Sequence, residues 1–225
     1  MRNSHKVNKE KAVMAILFII FVLIIDVVFL ANFTSSYKKE VTDGNPNSTG
    51  LLSHNRGTDL TIKGKGVKLT GTALKVGDKV DFNFLLDNPV KVIEDQSQTD
   101  LSELKGVKVI ETVPSLDTPV CSMQTAELNL LAPKYKDVTF VVVSQDLPFA
   151  QSRYCGAKGV NKNVKVLSDY RTKGFSKENR LLVSETQLNA RAIIVVDKDD
   201  KVIYSEYAKD QTNPLDLQKA LSALK

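Results

Sequence analysis

The sequence predicts a three-layer α/β domain preceded by one transmembrane helix, and three observations carry this prediction. From about residue 61 onward, short runs rich in β-branched residues alternate with helix-like stretches. Several of these runs are almost continuously apolar, as in the central strands of a sheet covered by helices on both faces. Upstream, residues 12–31 form an apolar stretch long enough to cross a bilayer.

The first element is this apolar stretch, which contains a single charged side chain, Asp26. An acid near the middle of a span costs about 2.5–3.5 kcal/mol, whereas each surrounding Ile, Leu, Phe or Val returns about 0.3–0.6 kcal/mol. Since these apolar residues are numerous, insertion is favoured. We interpret Asp26 as a tolerated off-centre acid, although intramembrane acids can also mark functional sites.

The flanking charges predict the orientation of the helix. Four basic residues lie in residues 1–11, whereas residues 38–43 carry two lysines and two acids. The positive-inside rule therefore places residues 1–11 in the cytoplasm and the folded domain outside it, in a single-pass protein of the cell membrane. The alternative is a domain secreted after signal cleavage. Residues 12–31 are long for a signal peptide, and residues 29–31 are a poor cleavage site.

A polar stretch, residues 32–59, follows and is predicted to be a flexible linker. The folded domain is expected to cover residues 60–225. It should open with a small hairpin around a glycine turn at residues 61–70 and a strand at 80–86. The β-branched runs that we expect to form the remaining strands are residues 107–113, 138–144, 164–167, 190–196 and 202–207, of which the last two should pair as a hairpin.

Three helices are predicted among these strands. One covers residues 119 to about 135, and another begins near Asp146 and contains Cys155. The third should start at Asn213, which suits an N-cap, with Pro214 in the first helical position. Alternating strands and helices with a terminal hairpin give the three-layer arrangement.

The composition argues against several kinds of site. The two histidines, His5 and His54, lie outside the predicted domain, so Cys–His and Ser–His–Asp catalysis are not expected. Cys121 and Cys155 are too far apart in sequence for a typical zinc site and form no Cys-x-x-Cys motif. The net charge of +5 comes from scattered lysines, so no nucleic-acid partner is expected.

Chemistry is predicted at Cys121, which closes the run Pro114-Ser-Leu-Asp-Thr-Pro-Val-Cys121. Pro119 suits the first turn of a helix and Thr118 suits its N-cap, so Cys121 should lie where free N–H groups and the helix dipole favour a thiolate. Pro114 restricts the preceding loop and can shield the sulfur. The Thr118 hydroxyl can hold a peroxide oxygen, and an arginine is the expected cation because no histidine is available.

The second cysteine allows two interpretations. Attack of Cys121 on a peroxide would leave a sulfenic acid, which condenses with a second thiol, and Cys155 is the only candidate in the chain. A disulfide needs Cα atoms within about 7 Å, so two cysteines on separate helices should require local unwinding. The pair could instead form a structural disulfide in an exported domain. The Thr-Pro-Val-Cys context favours reactivity.

Three segments resemble those of the bacterial thiol peroxidases, the atypical two-cysteine peroxiredoxins. Residues 112–121, with Gln124, Thr125 and Asn129 after them, are similar to the peroxidatic segment of that family. Residues 144–156 resemble its resolving-cysteine segment, and residues 189–197 resemble the strand that carries its active-site arginine. The resemblance extends over about residues 59–225.

This resemblance implies a thioredoxin-like fold with an added N-terminal hairpin, usually in a homodimer. It implies reduction of hydrogen peroxide and organic hydroperoxides without a bound cofactor or metal. Cys121 would be peroxidatic and Cys155 resolving, linked in the cycle by a Cys121–Cys155 disulfide. Thr118 and Arg191 would bind and polarise the peroxide, and Pro114 would shape the pocket. Thioredoxin or a thioredoxin-like donor would reduce the disulfide.

The chain departs from the family pattern in two respects. The membrane segment and linker are additional, and residues 181–188 lack the glycine-rich loop expected there. A related subfamily resolves through a cysteine five residues after the peroxidatic one. Position 126 here is alanine, so that route is closed. Two other functions stay open: a membrane-anchored thiol–disulfide exchange protein, disfavoured by the missing Cys-x-x-Cys, and a non-catalytic domain with a structural disulfide.

Overall fold

The computed structural model describes residues 60–95 and 97–224, which belong to one compact unit. The predicted cytoplasmic tail, anchor and linker at residues 1–59 lie outside these ranges. Among the described helices, none has the length and apolar character needed to span a bilayer.

The described residues form nine strands and five α-helices. The strands are β1 (Leu60–Ile62), β2 (Lys65–Val67), β3 (Leu85–Asp87), β4 (Gln98–Asp100), β5 (Val107–Thr112), β6 (Val138–Ser144), β7 (Val164–Ser168), β8 (Ala192–Val196) and β9 (Val202–Tyr207). The helices are α1 (Lys91–Glu94), α2 (Pro119–Leu131), α3 (Pro148–Lys158), α4 (Gly174–Glu178) and α5 (Leu217–Leu221), with 3-10 turns at Leu101–Glu103, Ala132–Lys134 and Ser222–Leu224.

Seven strands form one mixed sheet in the order β4-β3-β7-β6-β5-β8-β9. The central strands β7, β6 and β5 are parallel, and the outer pairings are antiparallel. In an open sheet of this kind, functional sites occur at the carboxyl ends of the parallel strands. The segment with Cys121 follows the carboxyl end of β5 directly, so the topology places it at that edge.

Apolar side chains cover both faces of the sheet. Ile110 of β5 packs in one core cluster with Phe175 of α4. Its neighbour Val109 packs in a second cluster with Leu128 of α2 and Leu221 of α5. Successive strand residues point to opposite faces, so one strand contributes to both clusters. This arrangement confirms the predicted three-layer α/β domain.

The elements with strong sequence patterns agree with the prediction. The hairpin expected at residues 61–70 is present as β1 and β2, which pair antiparallel with Leu60 opposite Val67. Lys63 and Gly64 form its turn with φ values of 50° and 77°. All the β-branched runs form strands, and β8 pairs antiparallel with β9.

The strand predicted at residues 80–86 is wrong in its extent, since only Leu85–Asp87 forms a strand. The backbone of the residues before it forms hydrogen bonds with loop residues instead of with a neighbouring strand. The backbone N–H of Val80 donates to the Asp200 carbonyl at 3.0 Å, and that of Asp81 donates to the Asn179 side chain at 2.8 Å.

The last helix begins at Leu217 rather than at Pro214, so the predicted N-cap at Asn213 is also wrong. Asp216 is the N-cap and accepts a 3.0 Å hydrogen bond from the Lys219 N–H. The preceding Leu215 N–H donates to the Gln124 side chain at 3.0 Å. This bond holds the segment before α5 against α2. The Leu215 N–H is therefore not available for a helical hydrogen bond.

Candidate active site

The loop between β5 and α2 is held at both ends. The Thr112 hydroxyl donates to the Ala190 carbonyl at 2.7 Å, which fixes the end of β5 against the segment leading to Arg191. The Leu116 N–H donates to the Asp146 carboxylate at 2.7 Å, which fixes the loop against the start of α3. The elements that carry the predicted site residues are therefore joined by direct bonds.

Cys121 lies in the first turn of α2, as predicted, and its side chain is fully buried. Thr118 occupies the N-cap position with an extended backbone, and Pro119 is the first helical residue. The early N–H groups of a helix lack intrahelical acceptors, so their partial positive charge acts on the sulfur. Helix position therefore favours the thiolate form of Cys121.

The Thr118 hydroxyl binds the sulfur rather than capping the helix, which corrects its predicted capping role. Its oxygen lies 2.8 Å from Cys121 Sγ and 2.9 Å from the Ser115 carbonyl oxygen. A hydroxyl carries one proton and two lone pairs. It can donate to Ser115 while accepting from a thiol, or donate to a thiolate. Thr118 thus serves both protonation states of Cys121.

Arg191 brings the predicted cation to the sulfur. Its Nη2 lies 3.2 Å from Cys121 Sγ, and the residue is buried. Its Nε donates to the Gln211 carbonyl at 3.1 Å, and its backbone N–H donates to the Gln211 side-chain oxygen. Since the Gln211 acceptors are neutral, the charge of the guanidinium remains available to stabilise a thiolate.

An acid missed by the sequence analysis lies behind this arginine. Glu111 of β5 is fully buried, and its oxygens accept hydrogen bonds from Gln124 Nε2 at 2.7 Å and from Thr125 Oγ1 at 2.8 Å. Burial raises the pKa of Glu111 to about 7, against the opposing effects of these two hydrogen bonds and of Arg191. The one available signal was an acidic residue inside a strand run rich in β-branched residues.

Cys155 lies near the end of α3 as a half-buried free thiol, and Cys121 is also free. Burial raises the pKa of Cys155 to about 11, so this thiol is neutral at pH 7. Cys155 packs against the same apolar cluster as Cys121. Beside it, the Tyr154 hydroxyl donates to the Ser122 carbonyl at 3.2 Å and joins α3 to α2 next to both cysteines. The disulfide between them remains a prediction.

The remaining predicted residue, Pro114, is half-buried in the loop before α2. Arg153 lies close in sequence to Cys155, but its side chain is 71% exposed and pairs with Asp117 at 3.8 Å. A solvent-exposed pair of this kind contributes about 0–1 kcal/mol. Within residues 60–95 and 97–224, no cluster of His, Cys, Asp or Glu side chains is arranged to hold a metal ion.

Known proteins are similar to the part of the chain that contains this site. A family model described as Redoxin matches residues 75–224. The thiol peroxidase of Bacillus subtilis is 40% identical over 169 residues, covering 74% of this chain and 96% of the relative. That of Oceanobacillus iheyensis is 41% identical over 169 residues, covering 74% and 98%. The solved structure of a peroxiredoxin-like protein from Aquifex aeolicus aligns with a TM-score of 0.65 and 32% identity, covering 73% of this chain and 95% of that chain.

Proposed function

The chain belongs to the redoxin family and, within it, to the thiol peroxidases, and from this premise we propose that Cys121 is its peroxidatic cysteine. Thiol-dependent reduction of peroxides is the activity of the domain. The observation that supports the assignment is the position of the Cys121 sulfur between the Thr118 hydroxyl and the Arg191 guanidinium.

The chemical step follows from this arrangement. The Cys121 thiolate attacks one oxygen of the hydroperoxide, an S–O bond forms, and the O–O bond breaks. The departing oxygen takes up a proton to give an alcohol or water, and Cys121 becomes a sulfenic acid. Thr118 and Arg191 present donors to the charge as it moves from sulfur to the leaving oxygen. Pro114 is proposed to shape the entrance to this site.

Cys155 is proposed to resolve the sulfenic acid. Its sulfur attacks Cys121, an S–S bond forms, and water leaves. Because Cys155 is a neutral, half-buried thiol on a helix, this step needs local opening of α3 or of the first turn of α2. Contact with water during opening would also ease loss of the thiol proton. Thioredoxin or a thioredoxin-like protein then reduces the disulfide.

We further propose that residues 12–31 anchor the enzyme in the cell membrane and that residues 32–59 tether its domain outside the cytoplasm. The length of the apolar stretch and the excess of basic residues before it support this proposal. The reductant would then be an extracytoplasmic, membrane-tethered thioredoxin-like protein supplied by a membrane electron carrier. A homodimer is the expected assembly, and hydroperoxides formed in the bilayer are accessible substrates.

Mass spectrometry after one equivalent of hydrogen peroxide, with parallel turnover assays, tests the residue roles. We expect a Cys121–Cys155 disulfide in the native protein and loss of turnover in Cys121→Ser. Cys155→Ser should consume one equivalent and then stop, because its sulfenic acid has no partner. Full turnover by Cys121→Ser would contradict the assignment.

The two alternative functions predict different outcomes. A thiol–disulfide exchange protein would reduce protein disulfides and leave hydrogen peroxide and cumene hydroperoxide unconsumed. In a domain with a structural disulfide, Cys121→Ser would lower stability and Thr118→Val would change nothing measurable. The free thiols and the contact between Arg191 and Cys121 support the peroxidase instead.

A further inference from the structure

We propose that Glu111 is a positioning residue of the peroxidatic site, which orients Arg191 through Gln124 and couples its own protonation to that of Cys121. This inference rests on the proposed role of Cys121. The four residues form a continuous path: Glu111 binds Gln124, Gln124 faces Arg191, and Arg191 contacts the Cys121 sulfur.

Gln124 can adopt only one orientation of its side-chain amide in this path. Its oxygen accepts from the Leu215 N–H at 3.0 Å and lies 3.5 Å from Arg191 Nη1. Its nitrogen donates to a Glu111 oxygen at 2.7 Å. If the amide were flipped, its NH2 group would face the Leu215 and Arg191 donors, and its oxygen would face the Glu111 oxygen. Glu111 therefore determines that an oxygen of Gln124 faces the guanidinium.

Thr125 allows Glu111 to keep this position in either protonation state. Its hydroxyl lies 2.8 Å from the second Glu111 oxygen. It donates to that oxygen when Glu111 is a carboxylate and can accept from it when Glu111 is a carboxylic acid. The first oxygen stays an acceptor for Gln124 in both cases. Titration of Glu111 thus changes the charge of the site without breaking its hydrogen bonds.

The charge of Glu111 opposes the thiolate. A thiolate and a guanidinium beside a neutral Glu111 have no net charge, whereas ionised Glu111 adds a negative charge to a buried region. Two buried anions disfavour each other, so an ionised Glu111 opposes a negative charge on the sulfur. The other ionisable groups that act on or respond to Glu111 are Glu127 of α2 and Tyr154 of α3. Since burial raises the pKa of Glu111 to about 7, the coupling operates near neutral pH.

The test titrates the Cys121 thiolate by its ultraviolet absorbance in the full-length Cys155→Ser protein, with and without Glu111→Gln. Glutamine keeps an acceptor for Gln124, and its amide can donate to the Thr125 hydroxyl, so the charge alone is lost. We expect two coupled steps with Glu111 present and one step, at lower pH, in Glu111→Gln. As a matched control, Glu178→Gln removes an exposed carboxylate from α4 on the opposite face of the sheet and should leave the titration unchanged.

A second variant keeps the acid and changes its hydrogen bonding. The Thr125 hydrogen bond on balance lowers the pKa of Glu111, so in Thr125→Val the step due to Glu111 should move to higher pH by about half a unit. This measurement holds even if Glu111→Gln fails to fold. The coupling would be overturned if the thiolate titration showed the same single step with and without Glu111. It would also be overturned if Thr125→Val left the titration unshifted.

The positioning role has its own readout. Glu111→Leu removes the acceptor of Gln124 as well as the charge. At a pH where Cys121 is fully ionised, we expect it to react with hydrogen peroxide about tenfold more slowly than Glu111→Gln, because Arg191 loses its orientation. Equal rates would overturn this part. The titration needs no peroxide, so coupled steps in an unreactive protein would contradict the proposed function alone.

Discussion

At the scale of single residues, the two donors at the Cys121 sulfur have different roles. Arg191 is buried and carries a permanent charge, so it favours the thiolate over the thiol. Thr118 is exposed and neutral, and its proton can turn between Ser115 and the sulfur. In the proposed reaction, a peroxide that approached from the solvent side would meet the exposed Thr118 before the buried guanidinium. Under this proposal, Arg191 would supply a fixed positive charge and Thr118 a hydrogen bond that can change direction.

Arg191→Lys should slow the reaction of Cys121 with hydrogen peroxide by about a hundredfold, comparable to removing a donor from an oxyanion site. A lysine ammonium is compact and cannot reach Gln211, Gln124 and the sulfur together as the guanidinium does. Single-turnover rates by rapid mixing measure the effect. Arg153→Lys, at an exposed arginine, is the control and should stay within twofold. A rate for Arg191→Lys close to that of the native protein would refute the role of Arg191.

Glu111 makes stability depend on pH in a defined direction. Its pKa rises from an ordinary 4.5 to about 7 on folding, so the folded state holds a proton that the unfolded state has lost. The contribution of Glu111 to stability should therefore be greatest below pH 4.5 and should fall as the pH rises to about 7, by up to about 3 kcal/mol.

Urea unfolding of the native protein and Glu111→Gln at about pH 4.5 and about pH 8 measures this change. The stability of the native protein relative to the variant should decrease between the two conditions. Glu178→Gln should follow the native protein. If the free energy of unfolding changed equally with pH in the native protein and in Glu111→Gln, the pKa of Glu111 would not be raised on folding.

At the scale of elements, the sequence predicted the strands that have a long run of β-branched residues. It missed short elements whose structure depends on contacts with other parts of the chain. The runs that became β5, β6, β8 and β9 are rich in β-branched residues and keep almost their predicted bounds. Strand β4 and the helices α1 and α4 are only three to five residues long and carry no recognisable period. Their structure comes from tertiary contacts, such as the antiparallel pairing of β4 with β3.

The same distinction holds in the site. Cys121, Thr118 and Arg191 could be found because two of them share a helix-start motif and the third lies in a recognisable strand segment. Glu111 could not be found, and Gln124 was noted only as part of a similar segment, because the bond between them is made by packing α2 against the sheet. An isolated acid in a strand does not reveal which side chain covers it.

Tyr154→Phe should speed disulfide formation by up to about fivefold. Burial, and then the negative charges that Glu111 and Cys155 carry once they are ionised, raise the pKa of Tyr154. Its hydroxyl therefore keeps its proton at neutral pH and donates to Ser122. This bond holds α3 on α2 and contributes about 1 kcal/mol that opening must overcome.

Mass spectrometry of samples quenched after peroxide addition follows the Cys121–Cys155 product. Tyr135→Phe removes a hydroxyl from the same apolar cluster, just after α2, and serves as the control. Slower or unchanged formation in Tyr154→Phe would mean that the cysteines meet without separation of α3 from α2.

At the scale of the whole molecule, the reactive edge of the sheet is assembled from distant parts of the chain. β5 and α2 provide Cys121, the segment before β8 provides Arg191, and the chain before α5 secures Gln124 through Leu215. The predicted anchor at residues 12–31 belongs to none of these parts and would decide where the domain works and which protein reduces it.

A tag placed after Lys225 should be removed by protease added to intact cells, whereas a tag before Met1 should survive until the cells are permeabilised. The excess of basic residues before the apolar stretch favours retention of residues 1–11 in the cytoplasm, which puts the domain on the other side. Immunoblots of both tags, with a cytoplasmic protein as the control for cell integrity, give the orientation. Protection of the C-terminal tag would place the domain inside, where thioredoxin itself can reduce it. A shortened chain in the medium would instead indicate cleavage of a signal peptide and a secreted enzyme.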